Sequence, residues 1–405
     1  MSDISFADDS VVAQPSSVGD PAPILFTGDN AEFRRLVTRG ALLELVTAGF
    51  YRFWLATNMR RYLWSNTIIG GDALEYVGTA RELLFGFFFA LVILAPAYLA
   101  YLLIGLEAER QKAFASLPLG LFFAAFGQFA IYRARRYRLH RTSWRGLRFG
   151  MGGSGLAYMF RAIGWGLLIT VTLGLALPWA EASLERYKMR NTSYGDLDGD
   201  FVGRGGDFFK HGWWIWATSL VLLVSPLVLP SVLPLAIGGP ATILGGVAWL
   251  FGGPALYAAF KTEQWRWWLQ GLRLGGLRLE TNLTTSALLG NYFVFFGIFI
   301  GVMLLFGVFA GVVATLAGAH GVISPAGAPQ LPTTTLVAWI AGYVVAFLTI
   351  GVAARIYLTQ RVWKIVAGSL SVRELALAEN VAARAGPTEN AIGEGFADNL
   401  DVVGF

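Results

Sequence analysis

Residues 60–78 read RRYLWSNTIIGGDALEYVG, and residues 185–203 read ERYKMRNTSYGDLDGDFVG. The two stretches align at a constant offset of 125, which also relates Trp54 to Trp179, Arg61 to Arg186, Tyr62 to Tyr187, Asn66 to Asn191, Thr67 to Thr192 and Gly78 to Gly203. One offset kept over so many positions marks a duplicated block. Asn-Thr followed by glycine and then by alternation, as in Leu74-Glu75-Tyr76-Val77, is the pattern of a turn that leads into a short strand. Gly146-Leu147-Arg148-Phe149 and Gly276-Leu277-Arg278-Leu279 repeat that alternation. Strands near 74–78, 147–150, 199–203 and 276–280 are predicted to pair in one small sheet, because an isolated strand of this length leaves its backbone groups unpaired.

Outward from these blocks the chain is apolar. Of its 405 residues 55% are hydrophobic and 14% charged, more apolar side chain than a soluble core of this size buries. Uncharged runs at 83–106, 114–132, 212–237, 240–260, 287–317 and 333–356 have roughly the 20-residue length that crosses a bilayer core. The expectation is an α-helical polytopic membrane protein with six full spans in three hairpins, plus two kinked or re-entrant segments at 36–56 and 156–181; the alternative is eight full spans. The kinks are expected at Thr47-Ala48-Gly49 and Thr172-Leu173-Gly174, where glycine accepts a positive φ and threonine bonds locally. Arginines crowd between the runs, as at Arg133, Arg135, Arg136, Arg138, Arg141, Arg145 and Arg148, which places the blocks on the cytoplasmic side of a bacterial inner membrane.

The spacing divides the chain into a disordered tail (1–25), two repeat units (26–155 and 156–285) related by a pseudo-two-fold axis along the membrane normal, a third degenerate hairpin unit (286–373) and a cytoplasmic tail (374–405) that begins with a surface helix. Trp54, Arg61, Tyr62, Trp179, Arg186 and Tyr187 suit the membrane interface, where amphipathic rings and long cationic side chains settle. Thr47, Gly49, Asn66, Thr67, Thr172, Gly174, Asn191 and Thr192 are small polar or turn residues at corresponding places in the two units and are the candidate ligand-binding set. Turn formation explains them as well as ligand binding does.

The chain has no cysteine, which excludes disulfides and thiolate chemistry. His140, His211 and His320 have no partner at ligand spacing, so neither a metal nor a cofactor is expected. With no P-loop, nucleophile elbow or zinc helix, the chain does not read as an enzyme. The modest net charge of +5 and the absence of a basic tail exclude nucleic acid, and leave the lipid bilayer and its anionic headgroups as partners. Glu44 is the one acid within an apolar stretch, and such groups are functional candidates. Paired interrupted segments point to a transporter or channel for a small or amphiphilic molecule, its pathway between the units; the alternative is a non-transporting scaffold or envelope and lipid-organising protein.

Phe26-Thr27-Gly28, the segments TAGFYRFW (47–54) and TLGLALPW (172–179), RRYLWSNT (60–67), ERYKMRNTSYG (185–195) and GLRF (146–149) resemble the YjgN-like bacterial inner-membrane family, domain of unknown function 898. The resemblance covers roughly residues 26–373 and implies location without chemistry. The last block, RVWKIVAGSLSV (361–372), departs from it in lacking the asparagine.

Overall fold

The structure is a computed structural model and describes residues 21–110, 116–232, 235–319, 333–379 and 381–382. Its centre is a closed antiparallel barrel of ten strands: β1 Ala22–Phe26, β2 Thr67–Ile69, β3 Asp72–Tyr76, β4 Thr142–Trp144, β5 Leu147–Met151, β6 Thr192–Tyr194, β7 Leu197–Phe201, β8 Leu272–Leu274, β9 Leu277–Thr281 and β10 Leu370–Arg373. Pairing follows chain order all the way round, and β1 on β10 joins the two ends of the chain.

The four hairpins share one register, seen in the closing pairs Ile69↔Asp72, Trp144↔Leu147, Tyr194↔Leu197 and Leu274↔Leu277. Two-residue loops need positive φ to match strand twist, and Gly70-Gly71 (+58°, +89°) and Arg145-Gly146 (+49°, +74°) supply it. Arg145 is held in this unfavourable region by its guanidinium, which donates to Asp72 at 2.6 Å and lies 4.7 Å from the centre of the Trp144 ring.

The barrel is filled. Ile24, Trp144, Tyr194, Leu277 and Val372 are buried at its centre, with Phe149, Leu279 and Trp363 packed around them. After β10 the chain turns at Glu374 (φ +60°) into a 3₁₀ turn, Leu375–Ala378, in place of the expected surface helix. Leu375 and Leu377 lie so close to Gly70 and Gly276 that a Cβ on either glycine would collide with them, and Val381 covers Gly195 in the same way. The segment therefore closes the barrel mouth at which these hairpins turn. Truncation after Arg373 is expected to uncover this apolar mouth, lowering the melting temperature in detergent and increasing the binding of a hydrophobic dye. An unchanged melt would show that the segment holds nothing.

Ahead of each hairpin a helix arrives, and after it another departs. These are α1 Asn30–Val46, α2 Arg52–Ser65, α3 Ala80–Arg110, α4 Ser116–His140, α5 Gly155–Val171, α6 Leu177–Arg190, α7 Gly205–Val232, α8 Leu235–Gly271, α9 Thr285–Ala319 and α10 Thr333–Ala354. A π-helical turn, Arg355–Arg361, then leads into α11 Val362–Gly368 and on to β10. Consecutive helices pack together from α1 to α3 and again from α4 to α10, and α1 also packs on α10.

The two segments expected to kink are helix–turn–helix hairpins. Thr47 and Thr172 end their helices, the amides of Gly49 and Gly174 return to the carbonyls of Glu44 and Ile169 (2.7 and 2.8 Å), and Ala48 and Leu173 take positive φ (+50° and +52°). This is the Schellman arrangement, which satisfies orphaned helix-end carbonyls. Phe33 stacks near Tyr62 while Gly40 meets Leu55, so α1 and α2 run antiparallel.

The structure corrects the expected six or eight spans with short strands. Among the described residues four helical stretches are long and apolar enough to cross a membrane: Ala80–Leu103, Ile243–Gly271, Thr285–Leu316 and Thr333–Gly368. The described part of α4 turns charged at Arg133, Arg135, Arg136 and Arg138, which shortens its apolar length. The four strands expected to pair in one small sheet about a pseudo-two-fold axis are four of the ten in a closed barrel and do not pair with one another, because each hairpin adds a first strand of only three residues, too short to be read from the sequence. Residues 22–25, expected in a disordered tail, lie in β1. The rest of that tail, residues 1–20, falls outside the described residues, as do His320 and the tail beyond 382.

Candidate functional site

The eight candidate ligand residues lie at helix ends and bond to their own helices. The hydroxyls of Thr47 and Thr172 donate to Leu43 and Leu168 (2.7 Å each) and accept from the amides of Tyr51 and Ala176. Asn66 and Asn191 cap α2 and α6, each amide nitrogen donating to the carbonyl four residues back, Tyr62 (2.8 Å) or Tyr187 (2.7 Å). Thr67 and Thr192 donate to Leu63 and Lys188 (2.7 and 2.9 Å). Gly49 and Gly174 form the two turn tips. The two tips belong to separate hairpins, and the two Asn-Thr pairs enter different strands of the barrel. Asn66→Ala and Asn191→Ala are each expected to cost about 1 kcal/mol of stability, a single capping bond, measured by denaturation in detergent. A much larger loss would point to a second role.

The expected interface anchors divide. Trp54 and Trp179 are exposed at 38% and 42%, as membrane-facing indoles would be. Arg61 and Arg186 instead donate to the carbonyls of Gly78 (2.9 Å) and Gly203 (3.1 Å), beyond the hairpins that follow them. Tyr62 and Tyr187 donate to the carbonyls of Asp29 (2.6 Å) and Ser154 (2.9 Å), the caps of α1 and α5. Burial, with the nearby charges of Glu32 and Asp29, pushes the Tyr62 phenol up to about 12, so it stays a donor at every working pH.

The same device appears at two further places. Arg136 donates to Gly153 (3.1 Å) and Arg266 to Leu283 (2.6 Å), while the neighbouring Trp267 donates to the carbonyl of Arg204 (3.0 Å). Each of these arginines stands six positions before the first residue of β2, β4, β6 or β8 and is followed by Tyr or Trp. That Arg-aromatic spacing is the signal that could have found them.

Glu44 pairs with Arg355 of the π-helical turn at 2.7 Å, which explains how α1 keeps an acid among apolar neighbours. His140 and His211 bond through Nδ1 to the carbonyls of Arg136 and Asp207 (2.8 Å each).

A second cluster had no sequence signal. Glu185, on α6, is buried and accepts from Arg135 on α4 at 2.7 Å and from Lys188 at 2.5 Å. Burial alone would raise its carboxyl, but Arg135 and Lys188, with hydrogen bonds from Lys188 and the Trp268 indole, reverse this and hold it at about 2. Nearby Glu181 is pushed up by burial. The triad locks α4 to α6 above the barrel, with α8 adding Trp268, whose ring lies 6.0 Å from the Arg135 guanidinium.

These features define a class: helix pairs, with four helical stretches among the described residues long and apolar enough to cross a bilayer, hung from a packed, closed antiparallel barrel. The chain belongs to a bacterial protein family of unknown function, DUF898, whose model matches residues 21–399. No curated protein and no solved structure matches it.

Proposed function

We propose that this protein is a multi-pass inner-membrane scaffold that organises lipid, with the barrel on the cytoplasmic face, and is neither an enzyme nor a nucleic-acid binder. One observation carries the scaffold reading. The barrel axis is occupied by Trp144, Tyr194 and Leu277, and its mouth is covered by Leu375–Ala378, so it offers fastening and no passage. The blocks are read as a unit of one helix pair and one strand pair used repeatedly, each clamped by an Arg-to-carbonyl bond. The arginines at the barrel end of α4 support the cytoplasmic placement by the positive-inside rule and bring cationic charge to anionic headgroups.

Purified protein in liposomes is expected to pass no ions or small solutes above empty vesicles. Protein-dependent flux abolished by Glu185→Gln would overturn the scaffold reading in favour of transport, the one reading that the buried ions of Arg135, Glu185 and Lys188 would favour. A cysteine placed at exposed Asp198 is expected to react only from the cytoplasmic side. Labelling from the periplasm would invert the topology.

A further inference from the structure

The barrel is clamped at four of its five junctions. At each, the guanidinium of Arg61, Arg136, Arg186 or Arg266 is tied to a carbonyl just beyond the next hairpin. The fifth junction is where the two chain ends meet, β1 on β10, and no hairpin crosses it. The basic residue six positions before β10 is Lys364 on α11, which is exposed and makes no hydrogen bond or ion pair among the described residues.

A pocket of about 300 Å³ opens beside it, lined by Asn30, Asn291, Val294, Arg361, Lys364 and Ile365 among others. Arg361 rests over the Tyr357 ring at 4.4 Å and has no carboxylate partner among the described residues. Asp29, the N-cap of α1, already accepts from the amides of Ala31 and Glu32. Asn291 is 7% exposed, donates its amide to Tyr357 O at 2.7 Å, and has no partner for Oδ1. The site thus offers two free cations and an unused acceptor.

Its position says what sort of molecule fits. Asn291 and Val294 lie near the start of α9, within a stretch apolar enough to cross a membrane, and Val294, Leu304, Leu305 and Val308 are exposed along that helix. Charge at the foot and an apolar wall above it match an amphiphile better than a free anion. We propose that this pocket binds the headgroup of an anionic glycerophospholipid, with its phosphate between Arg361 and Lys364, a headgroup hydroxyl donating to Asn291, and its acyl chains along α9. This rests on the membrane reading above and gives it a lipid class and an address.

The test uses the full-length protein in detergent and calorimetric titration with short-chain phosphatidylglycerol, phosphatidylcholine and inorganic phosphate. Phosphatidylglycerol is expected to bind, and R361A/K364A, which removes both basic residues from an anionic lipid site, to weaken it at least about tenfold. Ala287→Trp, which fills the pocket and keeps both charges, is expected to do the same. Arg148→Ala, exposed on the barrel wall, is expected to change nothing. Since Arg361 and Lys364 are both exposed, their double variant decides the matter if the tryptophan variant fails to fold. Undiminished affinity in R361A/K364A, equal binding of phosphatidylcholine, or inorganic phosphate bound as tightly as the lipid would each overturn the proposal. Those results would leave the scaffold reading standing, whereas solute flux would overturn the scaffold and leave the lipid site intact.

Discussion

Glu185→Ala is expected to destabilise the protein by about 3–5 kcal/mol, because it leaves Arg135 and Lys188 charged, mostly shielded from water and without their carboxylate. Removing one partner of a buried ionic group costs far more than replacing the group as a whole. The triple substitution Arg135→Met, Glu185→Leu and Lys188→Met is therefore expected to lie much closer to the parent, and chemical denaturation in detergent compares the two. A single variant as stable as the parent would mean that water already reaches the triad. The pH dependence follows from the sign of the shift. The folded carboxyl is held at about 2, below its ordinary value of 4.5. Its contribution is therefore fully present above about pH 4.5 and is lost as pH falls towards 2. In Glu185→Gln this segment of the acid-denaturation profile should flatten, and an unchanged profile would assign the acid sensitivity elsewhere.

Tyr194→Ala is the second large effect, expected at about 3–5 kcal/mol. The ring is fully buried on the barrel axis, 5.5 Å from Trp144 and 4.7 Å from Phe149, and its hydroxyl donates to the Trp144 carbonyl at 2.8 Å. Truncation opens a cavity and removes the hydroxyl's bond to that carbonyl. Tyr194→Phe separates the two contributions and should cost only about 1 kcal/mol, the net value of one hydrogen bond. Equal losses in the two variants would show that the hydroxyl and not the packing holds the barrel centre.

Much of this organisation is written in the sequence at short range and hidden at long range. The five-residue strands at 72–76, 147–151, 197–201 and 277–281 came within two residues of their expected positions, because glycine loops and alternation are local signals. Their three-residue partners are too short to carry a readable period, so nothing in Thr142–Trp144 announces a strand. The turns at Thr47 and Thr172 were legible because a threonine two residues before glycine is a local stop. That the same threonines are held by their own helices became visible only with the hydrogen bonds in hand. Span number was overestimated because apolar length alone does not show where the arginines of α4 take over. The Glu185 triad joins residues 50 positions apart in different helices, and no spacing rule brings them together.

Joining the first strand to the last has a consequence for biogenesis. Until residues 370–373 leave the ribosome, the other strands can assemble only as an open sheet, with β1 and β9 as raw edges seeking a partner. The helix pairs must therefore settle first, and the barrel locks last, by a closure between Ala22 and Val372 that spans almost the whole polypeptide. A nascent chain stalled before Leu370 would carry every apolar helix and still lack its final rivet, which makes the four residues Leu370–Arg373 the part that decides whether an inserted chain becomes a finished molecule.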